Sequence, residues 1–446
     1  MKFSVINLGC KVNRVESDAA AALLLSQGGQ EAFKGEADIV VVNTCTVTGE
    51  AEKKARKAVR RALRDHPRAC VVVTGCAAAL DSAAYRTLDS RVDVVSKGAI
   101  DAYLSEKASH FREKEGEERR DAAGLFDAPL PGRAGGSFRT RVGVKVQDGC
   151  DNACTFCIVH VARGPATSRR ADAVSHECVA LARSGVREIV LTGINLGSYC
   201  DGDRQDPQAV CLSDLVSRLL RETASVSGRE DFPTRFRISS IEPRDVDDEL
   251  VSLLVEGEGR LCRHLHLPLQ SGSDKVLREM GRPYDVERYV SLVERLRKAI
   301  PALSLSTDII VGFPGETDEE FQQTLTVARR CGFSRIHAFP YSIRAGTPAA
   351  ERADQVAAEI RACRAAAVRA LGDELRTAEY ARRAGMHELA LVEADGMAMT
   401  ESYFEIPAPQ GSSSGTLVDV RLPPLPGLEA GLHAWDREAM RGDGVR

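Results

Sequence analysis

Six of the thirteen cysteines fall into two sets of three, and the positions of the more widely spread set constrain the fold most. Cys10, Cys45 and Cys76 each follow a short apolar, β-branched run: FSVINLG, ADIVVVNT and ACVVVTG. Such runs suit buried parallel strands. Helical patterns lie between them, ESDAAAALLLSQG and GEAEKKARKAVRRALRDH, and a fourth run, RVDVVS, precedes a closing helix in AIDAYLSEKASHF. This alternation predicts a doubly wound α/β domain over residues 1–111. Ligands of open parallel sheets bind at the carboxyl ends of the strands. Cysteines far apart in sequence are therefore expected to meet at one edge.

Residues 112–139 are charged, then rich in Pro and Gly, without periodicity, and read as a linker. From residue 140 the alternation resumes through RVGVKVQ, EIVLTGI, RFRISSI, LHLPLQ, LSTDIIVGF and RIHAFPY. Six strands with intervening helices predict a partial (βα)6 barrel over 140–376, short of the eight repeats of a full one. A long Ala/Arg-rich helix, residues 351–384, leads out of it. Residues 377–446 change style, with short strands split by Gly, Pro and Ser clusters, and predict a small β-barrel. No apolar run is long enough to span a bilayer, so no membrane association is expected. The N-terminus lacks a secretory pattern, and the expected location is the cytoplasm. The odd number of cysteines in so large a chain favours metal or redox use over a disulfide framework.

The second set, Cys150, Cys154 and Cys157, stands in GCDNACTFC after the first barrel strand. The C-x3-C-x2-C spacing puts three thiolates on one compact loop, where Phe156 is placed to keep water away. Zinc sites normally close with four ligands. No well-spaced fourth Cys or His follows, His160 being the nearest, so an iron–sulfur cluster is the preferred reading. Clusters usually take four thiolates. Three leave one iron open, which points to chemistry rather than electron storage. The same reasoning gives Cys10, Cys45 and Cys76 a second [4Fe–4S] cluster. The other seven cysteines are read as small buried hydrophobes.

The compact triad after a first barrel strand resembles the radical S-adenosylmethionine (SAM) superfamily. That resemblance implies an open iron that chelates SAM and a reductive cleavage giving a 5′-deoxyadenosyl radical. It also implies SAM contacts at Thr192 and Gly193 in LTGINLG, Ser239 and Glu242 in SSIEP, Gln270 in LPLQSG and Asp308 in STDIIVGF. Thr317 to Glu320 fits a helix capping box instead. A three-cysteine domain, a radical SAM barrel and a C-terminal TRAM-like barrel together resemble the methylthiotransferases over nearly the whole chain. The implied division of labour is a barrel cluster that makes the radical, an N-terminal cluster that presents sulfur, and a second SAM that methylates it. NLGCKVNRVES and KVQDGCDNACTFCIVHVARGP look most like the type that methylthiolates C2 of N6-threonylcarbamoyladenosine at position 37 of tRNA. Lys11-Val12-Asn13 favours this type over those acting on N6-isopentenyladenosine-37 or on a ribosomal-protein aspartate. His160-Val161 departs from the Pro-Tyr usual in relatives and questions the local loop shape.

Adenine C2–H is neither acidic nor electrophilic, so a general base near neutral pH cannot activate it, whereas a radical can. The expected partners are a tRNA anticodon loop, with its base turned out of the stack, an electron donor and a sulfur source. With a net charge of −4, RNA contact must rest on local patches. Candidates are Arg163, Arg169 and Arg170 after the cluster loop, and Lys53, Lys57 and Arg60 at helical spacing. Tyr403 and Phe404 in the acidic C-terminal segment suit either base stacking or core packing. The competing reading from another class is a non-catalytic iron–sulfur, RNA-binding redox protein.

Overall fold

A computed structural model describes residues 1–32, 35–46, 49–115, 140–224, 226, 232–257 and 259–424. The expected linker, beyond residue 115, and the last part of the C-terminal segment lie outside the described residues. The chain divides into two compact units: Met1–Lys145 with Ile158–Pro165, and Val146–Cys157 with Ala166–Arg446.

The first unit is built on β1 (Lys2–Asn7), α1 (Lys11–Ser26), β2 (Gln30–Glu31), β3 (Ile39–Thr44), α2 (Gly49–Asp65), β4 (Cys70–Gly75), α3 (Cys76–Leu80), α4 (Ser82–Arg86), β5 (Val92–Val94), α5 (Ile100–Glu115), β6 (Arg141–Lys145) and α6 (Val159–Arg163). The first five strands form one parallel sheet in the order β2-β1-β3-β4-β5. Its central strands are buried on both faces, which explains the unbroken Val/Ile runs. One apolar layer seats Ala55, Val59 and Ala62 of α2 against Val40, Val42, Val71 and Val73. The opposite layer seats Ala20, Ala21 and Leu24 of α1 and Leu104 and Ala108 of α5 against Phe3, Ile39, Val41 and Val72. Helices on both faces make this the doubly wound domain expected from the alternation.

In the second unit the strands Glu188–Thr192, Arg235–Ile238, His264–His266, Ser304–Val311 and Arg335–Pro340 fall on five of the six expected barrel runs; the sixth contains β6. Pairing is parallel throughout, and single bridges (Phe236 to Leu261, Ser240 to His266) carry the arc from the first pair of strands to the last three. The capping box is formed: Thr317 accepts from the Glu320 N–H, while Glu320 accepts from the Thr317 N–H. The long helix runs Ala358–Arg383, starting later than expected.

The C-terminal strands His387–Val392, Met397–Thr400, Glu405–Pro407 and Leu417–Arg421 form an antiparallel sheet. Among the described residues this sheet does not close into the expected barrel. It packs Phe404, Ile406 and Val420 against Tyr380 of the long helix instead. It falls in the same compact unit as the barrel. The reason lies in a fully buried ion cluster. Arg235 and Arg237 both bind Glu188 at 2.7 Å within the barrel sheet. Their remaining donors reach the carbonyls of Leu389, Met399, Thr400 and Glu401 across the boundary. A buried guanidinium is tolerated only when its donors are satisfied, so the two pieces are held together.

Candidate cluster and cofactor sites

In the first unit, β1, β3 and β4 are neighbours in register, with Asn7 beside Asn43 and Asn43 beside Thr74. Cys10 caps α1, Cys45 directly follows β3, and Cys76 opens α3 directly after β4. All three therefore lie at the carboxyl edge of adjacent parallel strands. The turn between β4 and α3 is tight: Gly75 has φ +97°, and a Cβ there would stand 2.3 Å from the Thr44 carbonyl oxygen. A buried amide network sets the edge. Asn13 Nδ2 donates to Asn43 Oδ1 and to the Thr44 carbonyl, both at 2.9 Å. Asn13 Oδ1 accepts from Cys10 Sγ at 3.3 Å.

Cations ring this edge. Lys97 Nζ donates to Cys76 Sγ at 3.3 Å, and Arg163 Nε donates to the same sulfur at 3.2 Å. Arg163 also holds Glu16 at 3.0 Å and Asn13 Oδ1 at 3.1 Å, and Lys145 holds Glu16 at 3.1 Å. Burial alone would raise the Glu16 carboxyl, but Arg163, Lys97 and Lys145 outweigh it and hold it below the usual carboxylate range. The Arg163 side chain is 1% exposed. It is an internal group of this site and not the surface phosphate contact expected of it. The helix that presents it, α6, packs against α3 and begins at Val159, so His160-Val161 sits in regular helix rather than in a distorted loop.

In the second unit the compact triad sits on a loop clamped from several sides. Thr155 bonds Glu279 and Met280 backbone carbonyls at 2.7 and 3.0 Å, and its own carbonyl accepts from Ala349 N–H. Phe156 packs beside Val276, Met280, Phe313 and Tyr341, covering the loop with apolar surface. Cys154 is buried, and Cys150 and Cys157 are half-buried. Burial pushes the Cys150 thiol up, with the Asn152 N–H acting in the opposite sense.

Arg282, which the sequence did not single out, donates to Cys154 Sγ at 3.2 Å and pairs with Glu242, and its side chain is 3% exposed. Tyr284 hydroxyl supports it, taking the Arg282 Nε–H at 3.1 Å and donating to the Pro268 carbonyl at 2.7 Å. Burial pushes the Glu242 carboxyl up, and the Arg282 charge only partly offsets this. Glu242 is thus tied to the cysteine loop through one guanidinium.

Of the other residues expected to meet SAM, Thr192, Gly193 and Ser239 lie at or just past strand ends. Gln270 lies in the segment after His264–His266, and Asp308 lies inside the strand Ser304–Val311 rather than at its end. Thr192 ends its strand buried, and Gly193 approaches Gln147 so closely that a Cβ would stand 2.8 Å from Gln147 Oε1. That same oxygen accepts from Asn195 N–H at 2.9 Å, stitching the Gly turn to the chain entering the cysteine loop. Ser239 is buried just past the last ladder pair, its N–H donating to the Leu191 carbonyl at 3.1 Å. Gln270 takes a left-handed conformation, φ +65°, and its backbone bridges Asp308 and Ile310. Asp308 faces His266 at 3.3 Å, with His337 within ligand distance of both. Both histidines were missed; the alternation in HLHLPLQ is the signal that carried His266, and no comparable pattern marks His337 in RIHAFPY.

The remaining RNA candidates divide. Arg169 pairs with Glu177 at 2.7 Å, whereas Arg170 is largely exposed. Lys53, Lys57 and Arg60 are exposed on α2, and Lys57, Arg60, Arg61 and Arg64 line one hollow of that helix. Phe404 is core, and Tyr403 lies under Arg237 at 4.2 Å and meets His264 edge-on, so both are engaged in packing. Among the other cysteines, Cys178, Cys262 and Cys331 are buried as expected, while Cys211 and Cys363 are exposed.

Both triads offer soft sulfur donors in a partly dry setting, with a guanidinium aimed at one sulfur of each. This donor set fits iron–sulfur clusters better than hard cations. Gln270 Oε1 and Asn195 Oδ1 are buried without a hydrogen-bond partner among the described residues, which fits a polar ligand bearing N–H or O–H groups.

Residues 144–328 match the Radical SAM superfamily model, and residues 2–96 match the model of the uncharacterized protein family UPF0004. A protein of Bacillus subtilis (strain 168), "Threonylcarbamoyladenosine tRNA methylthiotransferase MtaB", is 37% identical over 88% of this chain and 85% of its own. The "tRNA-2-methylthio-N(6)-dimethylallyladenosine synthase" of Corynebacterium diphtheriae is also 37% identical, over 88% of this chain and 76% of its own. Among solved structures, the radical SAM methyltransferase TsrM from Kitasatospora setae shares the fold at a TM-score of 0.52 and 18% identity, covering 78% of this chain and 75% of that one. The cofactors of such an enzyme are SAM and two [4Fe–4S] clusters. From the two cysteine edges and this likeness along most of its length, the chain belongs to the radical SAM tRNA methylthiotransferase family.

Proposed function

We propose that this enzyme methylthiolates C2 of N6-threonylcarbamoyladenosine at position 37, in the anticodon loop of tRNA. Relatives named for either base match at similar identity, 34–38% for three named for threonylcarbamoyladenosine and 37% for two named for dimethylallyladenosine, so overall similarity does not separate them. The observation that carries the choice of base is the wording around the first cysteine, NLGCKVNRVES, and within it Lys11-Val12-Asn13.

In this reading Cys10, Cys45 and Cys76 hold one cluster and Cys150, Cys154 and Cys157 the other. When bound, these clusters and SAM supply the radical and the methylated sulfur that the reaction requires. The chain's own residues do the rest. Thr155, Phe156 and the clamp around them hold the compact loop and exclude water. Thr192, Gly193, Ser239, Gln270 and Asp308 recognise SAM, and Glu242 is oriented by Arg282. Lys53, Lys57, Arg60 and Arg170 supply exposed charge for the RNA backbone. No helix among the described residues is long and apolar enough to cross a membrane, and the proposed location is the cytoplasm, where an electron donor and a sulfur source are also required.

Nucleoside mass spectrometry of tRNA from cells lacking this protein tests the assignment. The expected result is threonylcarbamoyladenosine present and its 2-methylthio form absent. Loss of methylthio-isopentenyladenosine instead would transfer the activity to the other base. A normal content of both, with reduced holoenzyme releasing no 5′-deoxyadenosine from SAM, would favour a non-catalytic iron–sulfur protein.

A further inference from the structure

We propose that Arg163 is a positioning residue of the N-terminal cluster site: it fixes two of the three ligand cysteines and raises the reduction potential of the cluster they hold. This rests on the reading that Cys10, Cys45 and Cys76 bind that cluster.

The guanidinium is buried, and its donors are distributed over the site. Nε reaches Cys76 Sγ at 3.2 Å. Nη2 reaches Asn13 Oδ1 at 3.1 Å, the atom that also takes the Cys10 thiol. Nη1 and Nη2 grip Glu16 at 3.0 and 3.2 Å, which locks the planar fork in one orientation. One side chain thereby sets the position of Cys76 directly, and of Cys10 through Asn13 while the Cys10 thiol still carries its proton, before cluster binding. A lysine cannot reproduce three directed contacts of this kind.

The charge acts as well as the geometry. A cube held by three thiolates gains negative charge when it accepts an electron. Hydrogen bonds to sulfur and nearby positive charge favour the electron-richer form, and both tune cluster potentials. Glu16 is ionised and cancels one charge, so Arg163, Lys97 and Lys145 leave the site net positive. Burial keeps the Arg163 term from being screened, whereas Lys97 is partly exposed.

The test is a one-electron EPR titration of full-length protein, reconstituted anaerobically, in a Cys150→Ala/Cys154→Ala/Cys157→Ala background so that only the N-terminal cluster reports. Iron and sulfide are counted in every sample. Arg163→Gln is expected to shift the one-electron equilibrium toward the oxidised cluster by about tenfold, about 59 mV lower in potential. Arg163→Lys is expected to fall between Gln and the parent, and Lys97→Gln to shift the same way by less. If Arg163→Gln cannot retain iron, Arg163→Lys and Lys97→Gln decide by the same shift. Full iron and an unchanged potential in every variant that retains the cluster would overturn the proposal. A parent protein without iron at this site would instead remove the reading on which it rests.

Discussion

At the scale of single residues, the two cysteine sets are built alike although their sequences are not. Each has one thiol beside a buried guanidinium, Arg163 at Cys76 and Arg282 at Cys154. Each guanidinium is oriented by a carboxylate, Glu16 in one unit and Glu242 in the other. The sets differ in how the thiols are delivered. Three separate strand ends supply one, so its geometry depends on the sheet; a single clamped loop supplies the other. Losing one cysteine from either set should therefore break one function and spare the other. Cys154→Ala is expected to abolish 5′-deoxyadenosine formation. Cys45→Ala is expected to retain SAM cleavage and lose methylthio product, both read by chromatography of single-turnover mixtures. Loss of both activities in Cys45→Ala would contradict independent roles.

At the scale of elements, α2 and the C-terminal sheet carry the clearest consequences. The α2 helix buries Ala55, Val59, Ala62 and Leu63 and exposes Lys53, Lys57 and Arg60 on the other side. Exposed charges on the outer face of a helix contribute little to folding. Replacing all three by Glu should leave thermal stability within a few degrees and weaken tRNA binding. The slope of log affinity against log salt should become shallower, by about 0.7–0.9 for each lost phosphate contact. An unchanged slope would take α2 out of the interface. The C-terminal sheet depends on Glu188, the shared anion of two buried arginines. Glu188→Gln leaves their charges uncompensated and should cost about 3–5 kcal/mol, by analogy with broken buried pairs. Denaturant unfolding measures this, and a loss under 1 kcal/mol would mean that the carbonyl contacts alone hold the sheet.

At the scale of the whole molecule, what the sequence made legible was what is local in the chain. The β-branched runs located the strands because parallel strands buried on both faces need continuous apolar side chains. The triad spacing located the compact loop because its three thiols are separated by only a few residues. Arg163 and Arg282 were not legible in those roles, since their sulfur partners lie 87 and 128 residues away. Arg163 in particular sits in a basic stretch, where composition suggests RNA and only packing reveals an interior partner. The C-terminal segment was legible in part, for a related reason. Short strands and turns predict a small β unit, and an antiparallel sheet is there, whereas the Arg235/Arg237/Glu188 cluster that docks it is dispersed in sequence.

The central claim is that two separate cysteine edges each hold a cluster, and metal analysis tests it most directly. Anaerobically reconstituted protein should contain about eight irons per chain, from two four-iron cubes. The Cys10/Cys45/Cys76→Ala and Cys150/Cys154/Cys157→Ala variants should each retain about four. A parent protein with about four irons, or a variant of either triad that keeps the full complement, would contradict the account.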